Sequence, residues 1–590
     1  MRFSLSNSSI WLVLIAAIVI VLSLQNWKKQ DRVIEHDVHA YYEYLPLVFI
    51  YDDIKIEKSD YRFGDNYYFI WISHVSEKGV KVIKASCGLS ILYAPFFFIA
   101  HGVALLSEYP ANGFSEPYKV FLLISTLFYL FIGLNFLKKI LNSIGFNDKH
   151  SAITILAVGL GTNLLAYSSQ SAPNPHTYNF ALFAIFIYYT IKWYEKQSYK
   201  ATIILAFLFG LIALIRPSNI IIIFFFIFYG ISSWTDIKER FFLFKKEFVK
   251  LLFFAVIPLF VWFPQFWYWK IVSGKFLYYS YNEEGFYFTD PKILEGLFSF
   301  RKGWLIYTPI MAFSIIGLYF LKDKLKKLLV PISIFTVLNI YIIFSWWCWW
   351  YGGTYGQRVM IDSYAMLAIP LAAFVKYADE KKIVNYLFYG ITLFFIWLNI
   401  FQTYQFENQC LHYDSMSSKL YFKQFGIMHR KVDFEKYLDW ADYDAAKYRG
   451  NKVKEKSPII SKDSQKVNLI AFNGKYLCTE WDRSIIADKD VANAWEVFIV
   501  NIFDKNEISI VAYDEYLLSA DLGMNGEVTA TRKEKHSWET FIIEYLEPNI
   551  IAIKAENGKY FSVDSNTLKI SATAETIGER EQFKLVKLEN

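Results

Sequence analysis

The feature that most constrains this chain is a series of charge-free apolar stretches along roughly its first four hundred residues, most of them long enough to cross a bilayer. They fall near residues 10–24, 120–137, 151–168, 178–191, 201–215, 219–234, 251–268, 304–321, 328–344, 359–375 and 383–404. In lipid every backbone N–H and C=O must be satisfied within the segment, so each stretch is predicted to be a helix. Composition agrees: 55% of the residues are hydrophobic and 20% are charged, against about 25% charged in an average soluble chain. Disorder, collagen and a disulfide scaffold are excluded. Cys87, Cys348, Cys410 and Cys478 show no metal-ligand or CxxC spacing. The net charge of +6 is too small to argue for a nucleic-acid partner.

The position of the charges says more than their sum. Lysines crowd every second loop: Lys138, Lys139 and Lys149; Lys192, Lys196 and Lys200; then Lys238, Arg240, Lys245, Lys246 and Lys250. Lys322, Lys324, Lys326 and Lys327 follow, and finally Lys376, Lys381 and Lys382. Short loops between them hold Arg216 or Arg358 alone, or no charge at all, as in 169–177. Basic loops face the cytoplasm. With Arg2 keeping the N-terminus inside, parity then leaves no room for a further span at residues 88–106. That apolar stretch, with Pro95 and His101 inside it, is expected to be an interfacial or re-entrant helix on the outer face. Residues 31–117 become one long extracytoplasmic loop, and everything beyond Gln405 lies outside. The first span lacks a small-residue cleavage signal and is expected to stay as an anchor.

After residue 404 the texture changes. Residues 405–466 read as an extracytoplasmic segment, aromatic, charged and helical over 414–448, with a polar linker at 450–466. From Val467 short β-alternating runs repeat. Ala471-Phe-Asn-Gly-Lys-Tyr476, Ala512-Tyr-Asp-Glu-Tyr516 and Ala555-Glu-Asn-Gly-Lys-Tyr560 recur about forty residues apart. Trp495-Glu-Val-Phe498, Trp538-Glu-Thr-Phe541 and Arg580-Glu-Gln-Phe583 keep step. Asn473-Gly474 and Asn557-Gly558 are hairpin turn signals. Three copies over 467–590 predict an all-β domain, and the markers resemble those of fascin-type β-trefoils. The recurring aromatics read better as shared core than as a ligand site, since a fold does not give a function.

Chemistry-bearing residues gather in the loops expected outside. The first of these loops reads Glu35-His-Asp-Val-His-Ala-Tyr-Tyr-Glu-Tyr-Leu-Pro46. A carboxylate in an aromatic setting at the membrane surface can take a proton from a hydroxyl or hold a cation. Asp37 followed four residues later by Tyr41 resembles the acidic motif of polytopic membrane glycosyltransferases of the GT-C class, which include protein O-mannosyltransferases and lipid A aminoarabinose transferases. The resemblance implies a sugar donor carried on polyprenyl phosphate, an acceptor on the outer face, and Asp37 as general base or acceptor-positioning group. It implies Lys84, in Lys84-Ala-Ser-Cys-Gly88, as a contact to the carrier phosphate, although this chain lacks the family's proline there. Glu35, Glu43, His36 and His39 are weaker candidates. In the loop 169–178, where such enzymes place a second acidic group, only His176 is found. The resemblance leaves a divalent metal open as a cofactor.

Arg216-Pro-Ser-Asn219 interrupts two apolar stretches, and an arginine at that depth needs an anion, a carbonyl or water. A phosphate suits it, because a guanidinium offers paired donors. Trp346-Trp-Cys-Trp-Trp-Tyr-Gly-Gly-Thr-Tyr-Gly-Gln-Arg358 places Arg358 behind an aromatic belt, as the only charge on that side. No phosphate-binding P-loop, GxSxG, HExxH or dinucleotide fingerprint is present. The expected fold is thus a polytopic α-helical membrane protein of about 11 transmembrane helices, GT-C-like over 1–404, with a C-terminal β-trefoil. The expected activity is inverting transfer from a polyprenyl-phosphate-linked sugar to an extracytoplasmic glycan, lipid or protein, with membrane lipids around the body and no nucleic acid. A transporter or flippase of lipid-linked saccharides would need ionisable groups near the midplane of several spans. A membrane-anchored carbohydrate-binding protein would need one span only.

Overall fold

A computed structural model of the chain describes residues 4–447 and 464–588 apart from 30–31, 57–61, 64–65, 68–71, 76–80, 282–283, 432, 481–482, 504–505, 514, 522–525, 533–534 and 536. Arg2 and nearly all of the expected linker at 450–466 lie outside the described residues. The chain divides into two compact units, Met1–Gly450 and Asn451–Asn590.

The first unit is helical. Among the described residues, seven helices are long and apolar enough to cross a membrane: Leu5–Lys28, Gly88–Leu105, Glu116–Ser143, Phe248–Ser273, Lys326–Ser345, Arg358–Asp379 and Lys382–Glu407. Several of the eleven expected stretches are shorter or broken. The stretch at 151–168 is split after Leu160 into Asp148–Leu160 and Leu164–Tyr167. Those near 219–234 and 304–321 become short pieces that restart at Pro217 and Pro309, because proline has no N–H to continue the preceding turn. Gly88–Leu105 is a continuous helix of 18 residues.

The helical framework includes α1 (Leu5–Leu24), α2 (His36–Tyr42), α3 (Gly88–Leu105), α4 (Glu116–Ser143), α5 (Pro175–Glu195), α6 (Tyr199–Ile215) and α7 (Tyr364–Asp379). Asp148 holds the start of α1 by accepting from the backbone of Leu5 at 2.6 Å and from Ser4 Oγ at 2.9 Å, which satisfies orphan helix donors and sets an anion at the positive helix end. The segment leading into α7 and α7 itself run through the centre, almost wholly buried, whereas Phe248–Ser273 leaves Phe260 at 75% and Leu259 at 61% exposed. Apolar faces of that size call for an apolar solvent. Residues 405–447 fold with the helical unit: Leu411, Met416, Leu420 and Phe434 join its core.

The second unit is all β, with twelve strands among the described residues: β1 (Ser464–Ile470), β2 (Tyr476–Thr479), β3 (Ile485–Lys489), β4 (Phe498–Ile502), β5 (Glu507–Val511), β6 (Leu517–Asp521), β7 (Glu527–Arg532), β8 (Phe541–Glu547), β9 (Ile550–Lys554), β10 (Tyr560–Val563), β11 (Ile570–Ala574) and β12 (Phe583–Lys587). Antiparallel ladders run β1–β4–β5–β8–β9–β12 and return to β1. That closed ring leaves no edge. The pairs β2–β3, β6–β7 and β10–β11 form hairpins outside it.

The sequence markers explain these elements. At each Asn-Gly or its equivalent the alanine N–H reaches the carbonyl four residues on: Ala471 to Lys475, Ala512 to Tyr516 and Ala555 to Lys559 at 2.8–2.9 Å. Gly474 and Gly558 take φ of +75° and +76°, and in the second copy Glu515 adopts +67° in their place. The turn survives there without its glycine, at the cost of backbone strain. Phe498, Phe541 and Phe583 lie in the core, and Glu496 and Glu581 cap the short turns before them by accepting from Asn493 and Gly578 N–H. These markers build structure.

Candidate functional site

Five segments far apart in sequence bring their ionisable groups together, at the ends of α2, α3, α5 and α6 and in the segment leading into α7. Asp37 stands in the first turn of α2, and Tyr41 lies one turn on. Arg358 follows the glycine loop, in which Gly352 and Gly356 take φ of +69° and +56°, and opens the 3-10 helix Arg358–Ser363. Its guanidinium Nη2 meets Asp37 Oδ2 at 2.6 Å. The pairing is uneven in access: the Asp37 side chain is 52% exposed, that of Arg358 only 16%. The positive field of Arg358 holds the Asp37 carboxyl below its ordinary range against the opposing effect of burial, and Lys84 and His176 add to it. Burial pushes the neighbouring Tyr41 hydroxyl up to about 12, with Arg216 opposing.

Sequence reading missed the second carboxylate. Asp362, one helical turn after Arg358, is 2% exposed. His176 Nδ1 donates to its Oδ1 at 2.8 Å, and Asn179 and Asn219 donate to its Oδ2 at 3.0 and 2.8 Å. Arg216 Nη1 stands 3.9 Å from Oδ2 and 3.5 Å from His176 Nδ1. Arg358 does not stand alone: Asp362 is a second carboxylate beside it, supplied by a segment other than the loop 169–178, which holds no acidic residue. Asp362 also makes the stretch at 359–375 not charge-free. The signal was there to use, because a carboxylate inside an apolar run is costly unless it has a dedicated partner. Facing the carboxylate with Nδ1–H directs the lone pair of His176 to Nε2.

Lys84 joins the group from the start of α3. Its ammonium pairs with Glu284, whose place sequence reading also missed, and stands 5.2 Å from the Tyr281 ring. Gly88 makes this position attainable. A Cβ there would fall 2.7 Å from Ile215 N and 2.9 Å from the Leu214 carbonyl carbon, so only glycine lets the Lys84 segment reach the end of α6, where Arg216 emerges. Arg216 in turn stands 5.8 Å from the Tyr351 ring. Glu35 stands 3.8 Å from Arg32 and 4.0 Å from His36. His39 and Glu43, 3.0 Å apart, are buried on another face of α2 beside Phe114, where burial pushes the Glu43 carboxyl up.

Asp37, Tyr41, Lys84, His176, Arg216 and Arg358 therefore share one electrostatic neighbourhood, and Glu35 borders it. Three cations, each matched to a carboxylate at its side, can exchange that partner for an incoming anion. Among the described residues no group of three or more His, Cys, Asp and Glu side chains is set to hold a metal ion.

No protein family matches the chain, and no curated protein does. Among solved structures, a designed 3-fold symmetric protein, ThreeFoil, is similar at 16% identity over 21% of this chain and 99% of its own, with a TM-score of 0.20. An exo-beta-1,3-galactanase from Clostridium thermocellum is similar at 14% identity over 22% of this chain and 31% of its own, with a TM-score of 0.20. At these scores neither likeness bears on the fold or the function argued for this chain.

Proposed function

We propose that the chain is a polytopic membrane glycosyltransferase that moves a sugar from a polyprenyl-phosphate-linked donor to an extracytoplasmic glycan, lipid or protein. The single observation that carries the reading is the pairing of half-open Asp37 with Arg358, with Lys84 in the field of Asp37 and Arg216 in that of its neighbour Tyr41. In this reading the acceptor hydroxyl gives its proton to Asp37 and attacks the anomeric carbon. The bond to the carrier phosphate oxygen breaks with inversion, and the polyprenyl phosphate leaves with the electron pair. Arg358, Arg216 and Lys84 stabilise the departing charge, which counts most where water is scarce. Asp362 keeps His176 and Arg216 in place.

The basic loops lie in the cytoplasm in this reading, about eleven segments cross or enter the bilayer, and Gly88–Leu105 lies in the outer interface. The β unit is a fascin-like trefoil outside the cell membrane: six strands form the closed ring and three hairpins cover one end of it. It serves to engage the acceptor glycan or protein.

The test is Asp37→Asn. Membranes holding equal amounts of inserted wild-type or variant protein are supplied with polyprenyl-phosphate-linked sugars, and sugar reaching acceptors is counted. Loss of the base is expected to slow transfer by about a hundredfold or more. Unchanged transfer by a normally inserted variant would remove Asp37 from the mechanism.

A further inference from the structure

The proposed chemistry asks two things of one ion pair that cannot be granted together. A general base needs a carboxylate free to accept a proton, and a phosphate site needs a guanidinium free to donate. Arg358 and Asp37 satisfy each other at 2.6 Å. Resting on the function proposed above, we propose that Asp37 and the donor phosphate compete for Arg358, so that the proton-accepting carboxylate becomes available only when the donor is bound.

The geometry favours exchange over simple addition. Arg358 shows only 16% of its side chain, whereas Asp37 beside it is 52% exposed. An anion that reaches the guanidinium therefore arrives next to a carboxylate and meets like-charge repulsion. Asp362 cannot yield in its place, because it is 2% exposed and held by His176, Asn179 and Asn219. Lys84 has Glu284 as its own partner. Asp37 is the partner with no second hydrogen bond among the described residues and with solvent to move into. A phosphate offers Arg358 the same bidentate acceptor geometry with more charge. Once displaced, Asp37 loses the cation that chiefly depresses its basicity, and a hydroxyl can take the vacated contact. The order of binding is then donor first, acceptor second.

The exchange makes a prediction opposite in sign to the usual loss on mutating a site residue. Purified full-length protein is placed in nanodiscs of uncharged lipid and titrated with a long-chain polyprenyl monophosphate, with the matching polyprenol as control. Asp37→Asn is expected to bind the phosphate about fivefold tighter than wild type, since the competitor is removed while the shape is kept. Arg358→Gln is expected to bind at least about tenfold more weakly. Binding to Asp37→Asn alone, with wild type too weak to measure, supports the exchange in its strongest form. Equal or weaker binding by Asp37→Asn, with Arg358→Gln still impaired, overturns the exchange and leaves the phosphate site standing. Phosphate binding no better than polyprenol in wild type and both variants overturns the exchange and the proposed function together.

Discussion

Asp362→Asn is the perturbation that most directly probes the centre of the site. The carboxylate accepts three hydrogen bonds, from His176 at 2.8 Å, Asn219 at 2.8 Å and Asn179 at 3.0 Å, in a setting only 2% exposed. An amide of the same shape can accept at one oxygen only. Its NH2 must then face a donor, so at least one of the three bonds is lost and one buried donor is orphaned. A hydrogen bond to a charged group contributes about 1.5–3 kcal/mol, and breaking a buried pair costs about 3–5 kcal/mol. Arg216, 3.9 Å away, also loses its counter-ion. About 4 kcal/mol is therefore expected. For a helical unit of this size an unfolding entropy of about 2 cal/mol/K per residue turns that into a fall in Tm of about 4 °C. The measurement is tryptophan-fluorescence melting of the solubilised full chain at one fixed scan rate, with His176→Gln and the double variant alongside. The double variant should lose clearly less than the two singles added together, because the singles share one bond. Additive losses, or an unchanged melting temperature in Asp362→Asn, would refute the claim that this carboxylate organises the site.

Gly88→Ala should destabilise the protein by about 1–3 kcal/mol, because its Cβ would lie 2.7 Å from backbone that cannot move aside. The matched change Gly102→Ala, with nothing within 4 Å of the added carbon, should be neutral or slightly stabilising in the same melting assay. Acid sensitivity gives another test, at Asp414. Burial pushes its carboxyl up, but hydrogen bonding with His412, Tyr443 and Ser415 outweighs this and brings it down to about 2. A folded-state value below the unfolded one means that its stabilisation is complete above the ordinary aspartate value of about 3.9. It is lost progressively as pH falls from about 4 towards 2. Asp414→Asn should remove that part of the melting temperature's fall between pH 4 and pH 2, and an unaltered acid profile would contradict it.

The helical body was legible because lipid-length apolar runs leave a backbone few options, and Pro217 and Pro309 mark where those runs break. The β repeats were legible because a turn with a left-handed residue and a buried Phe recur in step. Glu515 shows the limit of that signal: the second copy keeps the turn although its sequence has dropped the glycine. At the site, Arg216 and Arg358 stood out as isolated charges in apolar surroundings, whereas Asp37, Lys84 and His176 were picked out through the resemblance to membrane glycosyltransferases. Asp362 did not stand out, because it was read as part of a stretch counted as apolar, and Glu284 did not, because it sits in a long loop with many other charges. A scan for single carboxylates within long apolar runs would have found Asp362.

By itself the sequence determined what the local chain must be: helices where only intrachain hydrogen bonds can satisfy the backbone, and a repeating β unit where side chains alternate and turns recur. It also determined which residues are costly where they stand and so need a partner. Only the tertiary structure decided who the partners are. Asp37 lies 321 positions before Arg358, and His176 lies 186 before Asp362. Pairing across such distances is set by how helices pack, down to a single missing Cβ at Gly88. A charge in an apolar chain announces its need locally, but it is met through space, and the apolar packing that brings the two ends together carries no mark of which charges it will join.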